Sequence, residues 1–111
     1  MEIKHQQQAG IEIFRLTGTL AQAAAIEAKH AIFPHISSPQ VNKVLINLKE
    51  VPFMDSSGIG LMVSFLNMMR DRKGKLALSN LGGGVMDIMK TTRLDTIFTI
   101  YPTEEEALSN F

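Results

Sequence analysis

VLINLKEVPFMDSSGIG, Val44 to Gly60, joins a short apolar run to a long helical pattern, and the joint decides the architecture. Val44-Leu45-Ile46-Asn47-Leu48 is β-branched and almost wholly apolar, as a strand buried inside a parallel sheet should be. From Ser57 to about Arg72 the apolar residues recur at helical spacing. Asp55-Ser56-Ser57-Gly58-Ile59-Gly60 therefore sits where strand gives way to helix, and it places a serine hydroxyl at a helix N-terminus. The first turn of a helix carries unpaired N–H groups and the positive end of the macrodipole, so a phosphate is physically at home there. Ser and Asp also accept hydrogen bonds from the N2 or N3 amide, so the same residues serve equally well as a plain helix cap.

Upstream, Ile11 to Leu16 alternates as a half-buried strand, and Ile3 and His5, across a polar turn at Gln6 to Gly10, complete an opening hairpin. Leu20 to Phe33 is alanine-rich and predicts the first helix, closed by Pro34; His35 to Asn42 reads as a surface loop. Downstream, Lys73-Gly74-Lys75 ends the second helix and Leu76 to Ser79 is the next strand. Gly82-Gly83-Gly84 reads as a flexible loop before a third helix, Val85 to Thr91, since no phosphate-loop spacing accompanies it. Ile97 to Ile100 predicts a strand or edge segment. Thr103 and Glu106 then fit a capping box for the last helix, and the acidic run Glu104-Glu105-Glu106 complements its dipole and has a structural role. The order ββαβαβαβα predicts an α/β fold, a small mixed, mostly parallel β-sheet with helices packed against it.

The second helix has more apolar arc than one sheet face needs. At 100° per residue, Ile59, Met62, Val63 and Leu66 form the expected core stripe. Leu61, Phe65 and Met68 lie on another side, under a neighbouring helix or facing a partner. Gly60, Ser64 and Asn67 mark the polar side.

With 111 residues, 45% of them hydrophobic, the chain makes one compact domain spanning 1–111. Lys+Arg and Asp+Glu both number 11, which leaves no electrostatic footprint for a nucleic acid or an anionic membrane surface. There is no cysteine, hence no disulfide framework or thiolate chemistry. The longest nearly uncharged apolar stretch, Gly58 to Met69, is too short to span a bilayer, and a cytoplasmic location is the expectation. Catalysis is not expected, because MDSSG is not a GxSxG elbow and His5, His30 and His35 lie far from Ser56 and Ser57 in sequence. The histidines also lack metal-ligand spacing, and neither metal nor cofactor is expected.

Val44 to Gly60 followed by GLMVSFLNMMRDRKGKLAL resembles the STAS domain of the bacterial anti-sigma factor antagonists. The LTG at Leu16 to Gly18 and the closing FTIYPTEEEAL at Phe98 to Leu108 extend the resemblance over nearly the whole chain. It implies that Ser56, with Ser57 as second choice, is phosphorylated by a histidine-kinase-like ATPase that doubles as the anti-sigma factor, and that a serine phosphatase resets the cycle. It also implies partner contacts over Asp55, Ser56, Ser57, Gly58, Ile59, Gly60, Leu61, Ser64 and Thr19. Asp55 would shape the site, and Gly58 would let the partner's backbone approach. In this chain Thr19-Leu20-Ala21-Gln22 stands where the family often has acidic residues. The alternative within the family is a scaffold or regulatory subunit of a signalling assembly or membrane transport system, without serine phosphorylation.

Overall fold

A computed structural model describes residues Met1–Phe111. Five strands form one sheet in the spatial order of the chain. β1 (Glu2–Gln8) pairs antiparallel with β2 (Ile11–Thr17), and β3 (Lys43–Glu50), β4 (Lys75–Ser79) and β5 (Thr99–Tyr101) follow in parallel. Helices α1 (Ala23–Ile36), α2 (Ser56–Asp71) and α3 (Gly83–Thr91) make the three crossovers, and α4 (Glu104–Ser109) ends the chain. The α/β order ββαβαβαβα is as the sequence predicts.

Period-two alternation divides the sheet into two faces. Phe14 and Leu16, Val44, Ile46 and Leu48, and Leu76 and Leu78 meet the buried residues of α1, α2 and α3 in the main core. The intervening positions, Ile11, Ile13, Leu45 and Ala77, form a small second core under Ala107 of α4. β3 is buried on both faces, which explains its apolar run; β1 is an edge strand and almost wholly exposed.

Several boundaries differ from expectation. β1 runs through Gln8, and the turn is only Ala9-Gly10, both at positive φ (52° and 78°). Glutamines suit an edge strand whose side chains stay in water. Helix α1 begins at Ala23, because Leu20 is held in a bridge to Met54, and it runs through Pro34 to Ile36. Pro34 sits in the last turn, where a missing N–H costs one bond with little helix left to break; Ser37 N–H closes the end on Phe33 O. The Arg72 guanidinium, from just beyond α2, donates to the carbonyls of Ile36, Ser37, Ser38 and Val41 and so fastens this end to the neighbouring helix. A 3-10 turn at Leu94–Thr96 and buried Phe98 precede β5, which starts two residues later than expected.

The glycine run is not a loose loop. Gly82 caps α3, and Gly83 and Gly84 form its first turn. A Cβ on Gly84 would lie 2.6 Å from Pro52 O, so the third glycine lets α3 pass the β3–α2 connection.

Candidate functional site

The site is built where the C-terminal ends of β2 and β3 release their chains. After β2, Gly18 N–H donates to Glu50 O and Leu20 N–H to Phe53 O, while Leu20 O accepts from Asp55 N–H. These bonds lay the Gly18–Gln22 loop along Phe53–Asp55. Leu20 and Met54 are fully buried beneath it, and Thr19 stays exposed on top.

Asp55 is the N-cap of α2, with extended backbone (φ −98°, ψ −169°). Its Oδ1 accepts from Ser57 N–H at 2.8 Å and from Gly58 N–H at 3.2 Å. The carboxylate is therefore committed to two first-turn amides, the cap geometry expected of Asp. Ser56 and Ser57 occupy the first two helical positions, and both are exposed.

Gly58 is buried, and its closeness is to its own chain. A Cβ there would stand 2.3 Å from Leu20 O and 3.0 Å from both Leu20 Cγ and Met54 Cβ. The partner's approach, expected from the resemblance at Gly58, is occupied by the Gly18–Gln22 loop. Gly60 has open space where a side chain would be. With Ser57, Ser64 and Asn67 it makes an exposed polar line along α2.

The buried face of α2 is formed by Gly58, Leu61, Met62, Phe65, Leu66 and Met69. It is turned by roughly 80° from the stripe expected around Ile59, Met62, Val63 and Leu66. Ile59 and Val63 are half-buried at its margin, as is Met68. The close approach at Gly58 and the packing beside α1 draw the Leu61–Phe65 side inward. Leu61, expected at a partner surface, is 7% exposed and lies in the floor of a groove.

That groove runs between α1 and α2 and is lined by Gln22, Ala23, Ala25, Ile26, Lys29, Ser57 and Leu61. Ile26 is 60% exposed, and Phe53, two residues before Asp55, is 46% exposed. Gln22 has φ 50° and ψ −123°, a backbone region costly for a residue with a Cβ. Of these neighbours, Gln22 belongs to the loop marked in the sequence, whereas Ile26 and Phe53 were not singled out there. Ile26 and Phe33 could have been, since they fall off the Ala25-Ala28-Ile32-Ile36 stripe that α1 buries.

The remaining polar clusters lie elsewhere. The His5 ring stacks on Phe14 (centroids 4.8 Å apart) and packs, tilted by 30°, against His35 (3.9 Å), and its Nε2 lies 2.7 Å from Glu12 Oε1. This cluster fastens β1 to the C-terminal end of α1, about 14 Å along the helix from Ile26 of the groove. It supplies no base for Ser56. Glu104 is held by Arg15 in a two-point ion pair (2.9 and 2.8 Å) and by Asn47 Nδ2 at 3.1 Å, on the opposite face of the sheet from α2. The Arg15 hydrogen bonds hold the Glu104 carboxyl below its ordinary value against the opposing effect of burial, with help from Asn47. The same partnership raises Arg15. No helix is long and apolar enough to cross a membrane.

The STAS domain family profile matches residues 2–107. An anti-sigma-B factor antagonist of Listeria monocytogenes is 31% identical over 99% of this chain and 95% of its own length. An anti-sigma F factor antagonist of Paenibacillus polymyxa is 26% identical over 98% of this chain and 93% of its own. Among solved structures, a Thermotoga maritima protein proposed to be an anti-sigma factor antagonist superimposes with a TM-score of 0.92 at 25% identity, covering 97% of this chain and 92% of that one.

Proposed function

This chain belongs to the STAS domain family, and from that premise we propose that it is an anti-sigma factor antagonist switched by phosphorylation of Ser56. The observation that carries the reading is the first turn of α2: Asp55 is already spent on the cap, while Ser56 and Ser57 project into solvent beside an exposed loop and a partly apolar groove. The names of the two relatives that align end to end support the same class of partner, an anti-sigma factor.

In the unphosphorylated state, the neutral hydroxyls and the surfaces around Thr19, Gly60 and Ser64 receive an anti-sigma factor that is also a serine kinase, and a sigma factor goes free. Phosphorylation adds about −1.5 to −2 charges at pH 7. It does so beside the Asp55 carboxylate. The N-terminus of α2 tolerates the phosphate within this fold, but a partner surface shaped for a hydroxyl meets a bulky dianion, and the complex dissociates. A serine phosphatase restores the binding form. This chain contributes a substrate hydroxyl and a docking surface, not catalysis.

The test pairs phosphopeptide mapping of the protein from its native host with binding to the anti-sigma kinase of that host. Ser56→Ala is expected to fold normally and bind constitutively, and Ser56→Asp to bind at least tenfold more weakly. Equal affinity of the two variants, or phosphate on Ser57 alone, would overturn the assignment to Ser56.

A further inference from the structure

We infer that β1 is a homodimer edge, at which two copies of this chain pair antiparallel about Ile3 to make one ten-stranded sheet. The strand spans seven residues at the end of the sheet order, has no proline, and ends in a tight turn. None of the backbone hydrogen bonds made outside regular elements involves residues 2–8, so its outer edge has no partner within the chain.

The hairpin determines which groups that edge presents. Gln8 and Ile11 flank the two-residue turn, and such a flanking pair is hydrogen-bonded across the hairpin. The alternation then assigns Gln6–Ile13, Lys4–Arg15 and Glu2–Thr17 to hydrogen-bonded pairs. Ile3, His5 and Gln7 point their N–H and C=O outward.

A symmetric antiparallel pair has few registers. Centred on Lys4, it sets like charges directly opposite each other, which is destabilising. Centred on His5, it leaves both charges of the strand opposite glutamines. Centred on Ile3, each Ile3 exchanges two backbone bonds with its copy, His5 N–H meets the copy's Met1 O, and Glu2 stands opposite Lys4 of the copy twice. Those Glu–Lys positions are non-hydrogen-bonded pairs, in which opposing side chains come closest. Ile3, a half-buried satellite of the main core, then meets its own copy across the axis, and Met1, another such satellite, stands opposite the copy's His5 on the same face, so that core continues across the joint. The symmetry keeps α1, α2 and α3 of both copies on one side of the joined sheet, so both Ser56 sites remain open. The net charge of zero leaves no long-range repulsion between copies.

Sedimentation velocity of the untagged full chain, from micromolar to submillimolar concentration, provides the test. The wild type is expected to move from 12.3 kDa towards twice that mass. Lys4→Glu and Glu2→Lys should each remain monomeric with unchanged circular dichroism. An equimolar mixture of the two should dimerise, because each chain then offers the other the opposite sign at both positions. A wild type that stays monomeric throughout, or a dimer indifferent to Lys4→Glu, would overturn the inference, the second result by placing the interface elsewhere.

Discussion

Helices α2 and α4 begin alike and end up doing different things. Each has a side-chain cap, Asp55 accepting from Ser57 and Gly58, and Thr103 accepting from Glu106 N–H at 3.1 Å. Each start is attractive to negative charge. At α4 that attraction is used within the chain: Glu104 sits in the first turn and is bound by Arg15 of β2 and Asn47 of β3, so the carboxylate pins the helix to the sheet. At α2 the first turn carries hydroxyls instead of carboxylates, and they face solvent. Local sequence chemistry makes both termini possible anion sites; the side chains in the first turn and what surrounds them make one solvent-facing and the other structural.

The largest expected effect tests the floor of the α2 site. Gly58→Val should cost more than about 3 kcal/mol, through overpacking against Leu20 and Met54, and should leave little folded protein by thermal melt. A near-native melt would mean that the loop does not press on the helix as the geometry requires.

Glu104→Gln should cost about 1–2 kcal/mol in urea unfolding at neutral pH, a partly exposed ion pair with good geometry being worth no more. The carboxyl is depressed in the folded protein, so its contribution is present above the unfolded carboxylate range and is lost as pH falls through the lower folded value. The wild-type advantage over Glu104→Gln should therefore shrink on acidification, whereas Ser56→Ala should show no such convergence.

Asp55→Ala should destabilise by about 1 kcal/mol, the usual cost of an N-cap, and Asp55→Asn by less. If the melting temperature were unmoved, the cap would be dispensable and Asp55 would be held for the partner alone. The smallest expected effect is of opposite sign: Gly60→Ala, in an open helical position, should stabilise by up to about 1 kcal/mol. Weakened partner binding in that more stable variant would show that Gly60 is a point of close contact.

The order of elements along the chain, the joint at Asp55 and the Thr103 cap were legible because each rests on neighbours in sequence: a β-branched run, a capping side chain, a turn. Pro34 misled because its effect depends on how many turns remain after it. The stripe on α2 misled because Leu61 and Phe65 are as apolar as Ile59 and Val63, so periodicity alone could not choose between them. Glu104 was assigned to the structure for the dipole of its own helix, but Arg15, 89 residues away in sequence, is its main partner.

By itself, then, the chain's residue pattern determined the α/β class, the ladder of elements and the presence of hydroxyls at a helix start, all consequences of short-range periodicity and backbone chemistry. The tertiary structure alone decided that Gly58 belongs to the Leu20 contact, that Leu61 is floor and not surface, and that β1 has an unpaired edge. Those outcomes depend on which distant segments close against one another, and close packing admits one arrangement where the local pattern allows several.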